Sequence, residues 1–191
     1  MQKKAQKQVI SILLIVLFIL SVTYIFLHLR NQNEVSENQK ISTNFNGSKT
    51  ITINSTLPIS DELGKKLDGK GTSKGIQGYT EFTIKNNLNK NIEYQICIEK
   101  KELENEIRGN YIKFYLTDEA DNPQEGYEKS AVPMYNDLPS LSNAPGLRLV
   151  SSGTLEKKES KKLILRSWLS DSYAISTEDN EFTFDIVVKA K

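Results

Sequence analysis

The chain has 191 residues, with 25 Lys and Arg against 24 Asp and Glu, a formal net charge of +1, and a single cysteine. This near balance gives no electrostatic case for nucleic acid as a partner. One cysteine excludes an intrachain disulfide framework, so the fold must hold together through its core.

Residues 1–8, MQKKAQKQ, carry Lys3, Lys4 and Lys7 and no acid. Val9 to Leu29 then runs without Asp, Glu, Lys or Arg. A helix over it, at about 1.5 Å per residue, spans about 31 Å, against about 30 Å for the hydrocarbon core of a bilayer. The run predicts a single transmembrane helix over 9–29, with the bilayer as partner. The basic flank places 1–8 as a cytoplasmic tail and everything beyond residue 30 outside the cell membrane. A cleavable signal is the alternative. The run ends in Tyr-Ile-Phe-Leu-His-Leu-Arg, a poor signal-peptidase site.

Residues 30–48 are rich in Asn, Gln, Ser and Glu and read as a flexible stalk. The domain is expected over 49–191. Its first strand candidate is Lys49–Leu57, where Thr-Ile-Thr-Ile alternates before Pro58. Residues 61–78 hold five glycines and read as a long loop, with one helical turn at Ser60–Lys66. From Tyr79 the period is two: Phe82 and Ile84 share a face, as do Tyr94, Ile96 and Ile98. Cys97 falls on the opposite face with Gln95 and Glu99. Residues 100–110 read as a crossing loop or one to two helical turns. Tyr111–Thr117 alternates again.

Pro123, Pro133, Pro139 and Pro145 exclude a continuous central strand across 118–147. Leu149–Gly153, Lys162–Leu169 and Glu181–Lys189 complete the strand candidates. Short alternating strands bury one face and wet the other, which two stacked antiparallel sheets provide. The fold class is mainly β, an antiparallel β-sandwich, immunoglobulin-like or jelly-roll-like, preceded by the one transmembrane helix.

His28, the only histidine, lies in the apolar run. The domain therefore lacks the ligands of histidine zinc sites and the base of Ser-His-Asp or Cys-His arrangements. No catalytic, cofactor-binding or metal-ligating set emerges. Asp118, Glu119 and Asp121, and Asp171, Asp179 and Glu181, are acidic loop residues whose spacing matches no EF-hand. Trp168 opposes Leu163, Leu165 and Leu169 in its strand, and Tyr111 and Tyr115 oppose Ile112, Phe114 and Leu116. An aromatic strip on the second face is either covered or presented to a partner, so Tyr111, Tyr115 and Trp168 are the candidate contact residues.

Ser152-Gly-Thr-Leu-Glu-Lys-Lys-Glu-Ser-Lys-Lys-Leu-Ile-Leu-Arg-Ser-Trp-Leu169, followed by Asn180-Glu-Phe-Thr-Phe-Asp-Ile-Val-Val188, resembles small exported β-sandwich proteins of Gram-positive bacteria, the camelysin and TasA group. The resemblance covers roughly 79–189. In the fibre-forming members it implies export through a cleavable signal and assembly by strand exchange; protease activity goes with the camelysin name, but no histidine beyond His28 and no His-Glu-x-x-His motif supports it here. The sequence as a whole predicts an envelope binding or scaffolding domain held by the apolar run, with a protein or cell-wall partner. The alternatives are a secreted matrix or fibre subunit and a histidine-free hydrolase.

Overall fold

Alternation of apolar and polar residues gives most strands of this chain one dry face, and the dry faces meet; the strand Ser160–Leu169 is buried on both faces. The computed structural model describes residues 16–24, 40–45, 47–54, 57–69, 78–126, 132–174 and 180–191. The chain divides into two units, Met1–Ser36 and Glu37–Lys191. In the first, residues 16–24 are helical, with Ser21 and Thr23 returning their hydroxyls to the carbonyls of Phe18 and Ile19.

Among the described residues no helix is long and apolar enough to cross a membrane. The transmembrane helix expected over 9–29 is corrected accordingly. Of the run, residues 16–24 are described, and they are helical. The rest of that run lies outside the described residues. The bilayer as partner, the single-pass topology, the cell-membrane localisation and the anchored envelope function rested on that helix, and they fall with it.

The second unit is an antiparallel β-sandwich. Its strands are β1 (Ile41–Thr43), β2 (Ser48–Asn54), β3 (Gly78–Asn86), β4 (Ile92–Lys100), β5 (Ile112–Asp118), β6 (Ser140–Leu141), β7 (Ala144–Leu155), β8 (Ser160–Leu169) and β9 (Glu181–Ala190). A four-stranded sheet has the order β1-β3-β8-β5, and a five-stranded sheet the order β2-β9-β4-β7-β6. Apart from the β6–β7 hairpin, every connection crosses from one sheet to the other. Of the two sandwich types expected, this sheet-swapping path is the jelly-roll one.

β1 and Phe45 fall within the stretch read as stalk. Ile41 is buried and Phe45 packs against Phe82 with ring centroids 6.0 Å apart, so this part of the chain belongs to the domain. Residues 101–108 form the crossing loop. It is pinned where Ile107 N donates to Glu181 O, and the Ile107 side chain is buried. β7 begins five residues earlier than its apolar signal, at Ala144. Cys97 is fully buried between Leu149 and Val187 of the flanking strands, and burial pushes its thiol up to about 11.

The core lies between the sheets. Phe114 of β5 meets Phe184 of β9 at 5.1 Å, and Tyr135 meets Phe182 at 5.3 Å, both edge to face. At the rim, Asp185 is buried beneath Lys101, whose Nζ lies 2.8 Å away, and accepts from the hydroxyls of Ser48 and Thr50. Burial alone would raise its pKa, but the hydrogen bonds from Lys101, Thr50 and Ser48 outweigh burial and hold it below the ordinary carboxylate value.

A folded pKa below the unfolded one makes this stabilisation complete above the unfolded value of about 3.9, and it is lost as the pH falls through the folded value. Asp185→Asn is therefore expected to cost about 1 kcal/mol at pH 7, Lys101 being partly exposed. Its melting curve should converge with the parent's as the pH falls through the depressed folded pKa of Asp185. A pH-independent difference in Tm contradicts this.

Candidate interaction surface

The outer face of the four-stranded sheet carries the expected aromatic strip. The register sets Tyr79, Arg166 and Tyr115 in one row across β3, β8 and β5, with Lys113 and Trp168 paired in the next. Residues 57–69 pass over this face as a strap that includes the short helix α1 (Asp61–Gly64). Ile59 N donates to Leu169 O, Lys113 pairs with Asp61 at 2.6 Å, and Arg166 Nε donates to Leu67 O at 2.7 Å.

Arg166 is almost fully buried. Its Nη1 donates to Thr117 Oγ1 at 2.9 Å, its Nη2 pairs with Asp121 at 2.6 Å, and its guanidinium stands over the Tyr79 ring. Burial, then the hydrogen bond that Tyr79 donates to Glu81, push the Tyr79 phenol up to about 12.

The three candidate contact residues take different positions. Trp168 is 0% exposed, under Gly64, and its Nε1 finds no acceptor among the described residues. It is roofed by this chain itself, through a loop glycine that gives no periodic signal. Tyr111 is half-buried and stacks edge to face on Tyr173 at 5.2 Å. Tyr115 is half-buried under the Lys65 ammonium, 5.5 Å from its ring centroid.

A Cβ at position 64 would stand 2.2 Å from Trp168 Cε2, a distance at which something must move. Gly64→Ala is expected to lift α1 from the indole, cost about 1–3 kcal/mol through overpacking, and shift the tryptophan emission to the red. Unchanged emission and stability contradict the roofing role.

The acidic loops are used internally. Asp118 accepts from the backbone of Ala120 and Asn122 and from the Asn122 side chain. These bonds, the side-chain one foremost, outweigh slight burial and hold its carboxyl below the usual range. Asp121 serves Arg166. Asp179 lies outside the described residues. Among the described residues no His, Cys, Asp or Glu cluster could hold a metal ion. A depression of ≈ 300 Å³ beside β7 is lined by Pro133, Leu138, Pro139 and Val150, with Glu125 and Asp137 at its wall. Asp137 accepts the backbone amide of Met134 there.

The sheet edges differ in how they are finished, which periodicity alone does not reveal. β5 is covered: Phe114 N donates to Pro133 O, Gln124 N to Leu116 O, and Asp118 N to Asn122 O. β6 covers the start of β7, and Leu149 N donates to Pro139 O. Beyond that point Ser151 Oγ donates to Glu125 O at 3.4 Å, and among the described residues no further strand pairs with this side of β7.

Lys191 N donates to Glu93 O on the β9 side of β4, so Ile92, Tyr94 and Ile96 turn their backbone groups toward β7 and meet Leu155, Gly153 and Ser151. Ser152 and Thr154 then point outward. At the other end of the sheet, Lys101 N donates to Thr183 O. Phe182, Phe184 and Ile186 therefore face Ile53, Ile51 and Lys49, leaving Thr50 and Thr52 pointing outward from β2. Among the described residues no backbone bond reaches these four outward positions.

No family model, curated protein or solved structure matches this chain.

Proposed function

We propose that this chain is a non-catalytic matrix or fibre subunit whose copies join through exposed sheet edges; the fibre-forming members of the group it resembles assemble by strand exchange. The supporting observation is the backbone on both sides of the five-stranded sheet, at Thr50 and Thr52 and at Ser152 and Thr154, that finds no backbone partner among the described residues. Sheets that stay monomeric guard such edges with Lys, Pro or inward charges. Val150 to Leu155 reads Val-Ser-Ser-Gly-Thr-Leu and carries none of these. In β2, Lys49 turns its backbone inward to β9.

Backbone pairing needs no catalytic constellation and no cofactor. It suits a domain whose buried Arg166 and whose carboxylates Asp118, Asp121 and Asp185 are engaged in holding loops and strands together. The test is light scattering and negative-stain electron microscopy of the purified full chain over a wide concentration range. Elongated particles whose length grows with concentration are expected. A particle of single-chain mass at every concentration overturns the reading.

A further inference from the structure

The two open edges of the five-stranded sheet are complementary in direction, in face and in chemistry. Along the sheet, β2, β9, β4 and β7 alternate in direction, because each pairs antiparallel with the next. Four alternating strands leave β2 and β7 pointing opposite ways. A second copy placed beside the first in nearly the same orientation therefore brings its β2 antiparallel to the first copy's β7. Two β2 edges brought together by a two-fold axis would leave both β7 edges unused.

The pleat agrees. The backbone groups of Thr50 and Thr52 point out of the sheet edge, and their side chains lie on its outer, exposed face, where Thr50 meets Asp185 and Thr52 meets Thr183. Ile51 and Ile53 take the inner face. On β7, Ser152 and Thr154 lie beside Glu93 and Gln95 on the outer face, while Gly153 stands against Tyr94 and Leu155 is in the core. Setting Ser152 opposite Thr52 and Thr154 opposite Thr50 joins outward backbone to outward backbone and outer face to outer face. Small hydroxyl residues then form one ladder, a favourable cross-strand combination.

We propose that β2 of one copy pairs antiparallel with β7 of the next, continuing the five-stranded sheet from chain to chain. The inference rests on the assembly reading and specifies its joint. The contact is heterologous, with a different surface on each side. It grows an open filament unless the rotation between copies closes a ring. The bulge where Val150 interrupts the pairing of β7 with β4 lies just before the joint and sets the local twist at which the next copy adds.

Disulfide trapping in the full chain tests it. Cys97 is completely buried, so the parent chain serves as the unlinked control. Residues facing each other across an antiparallel ladder have Cα atoms about 4.5–5.5 Å apart, within disulfide reach. The double variant Thr52→Cys/Ser152→Cys is expected to give a ladder of linked multimers on a non-reducing denaturing gel after mild oxidation.

Each single variant should stay unlinked, and an equal mixture of the two singles should stop at the dimer. Pairing Thr50→Cys with Ser152→Cys, and Thr52→Cys with Thr154→Cys, covers the two neighbouring registers. If light scattering shows assembly while none of these pairs links, or while single variants link as readily as the mixture, the joint is wrong and the assembly reading survives. A chain that scatters as a single copy at all concentrations overturns both.

Discussion

Phe114→Ala is expected to lower stability by about 3–5 kcal/mol, a large part of the total for a domain of this size. Phe114 is fully buried and is the ring through which the two sheets touch. It stands edge to face on Phe184 at 5.1 Å and tilted against Phe182 at 6.4 Å and Tyr135 at 6.3 Å. Truncation removes the transfer energy of the ring and leaves a void between two hydrogen-bonded sheets, which cannot collapse as freely as helices can shift. The aromatic pair energy is lost as well.

Phe114→Leu should recover roughly half of the loss by refilling part of the volume. Urea unfolding of the three chains checks this. Equal midpoints for Ala and Phe would mean that the sandwich does not depend on this contact.

Asn86 carries the second large effect, by a different mechanism. It is fully buried at the end of β3, where the β3–β4 and β7–β8 turns meet. Its Nδ2 donates to Lys90 O at 2.7 Å and Glu156 O at 2.8 Å, and its Oδ1 accepts Leu88 N at 2.8 Å. With a longer bond from Nδ2 to Leu155 O at 3.4 Å, one side chain thus reaches four backbone groups around the two turns. Asn86→Ala strands them, at an expected cost of about 2–4 kcal/mol.

Asn86→Asp keeps the bond from Leu88 N but sets a carboxylate against the carbonyls of Lys90, Leu155 and Glu156. Burial and those carbonyls raise its folded pKa above the unfolded value of about 3.9, so its ionised form destabilises the fold above that pH. Its deficit should therefore shrink on acidification, whereas that of the alanine variant should not. Thermal melts of both variants between neutral and acid pH decide it, and parallel pH profiles would contradict the arrangement.

β3, β4, β5 and β9 were legible in the sequence because each has one dry face and one wet one, so residues such as Phe82 and Ile84, or Phe182 and Phe184, mark the core directly. β1 was hidden in a polar segment, since its three residues offer only Ile41 as a core signal. The first part of β7 was hidden by Pro145 and Gly146, tolerated there because only the two-residue β6 lies alongside. Trp168 could be placed on the second face but not under its roof. The roof is Gly64, whose contribution is the absence of a side chain, and no hydrophobic pattern records that.

The apolar run misled for a simpler reason. Hydropathy reports the length a helix could reach, while among the described residues no helix is long and apolar enough to cross a membrane. The open edges were the least legible feature, because whether an edge is finished depends on where loops such as 122–124 and 133–139 return.

The most direct test of edge-to-edge assembly is amide hydrogen exchange of the full chain at low and at high concentration. In the dilute chain the outward amides of Thr50, Thr52, Ser152 and Thr154 are expected to exchange rapidly, while the inward amides of Ile51, Ile53 and Gly153 exchange slowly. In the concentrated chain all of them should be slow. Outward amides that stay fast in particles shown by scattering to be assembled would contradict edge pairing.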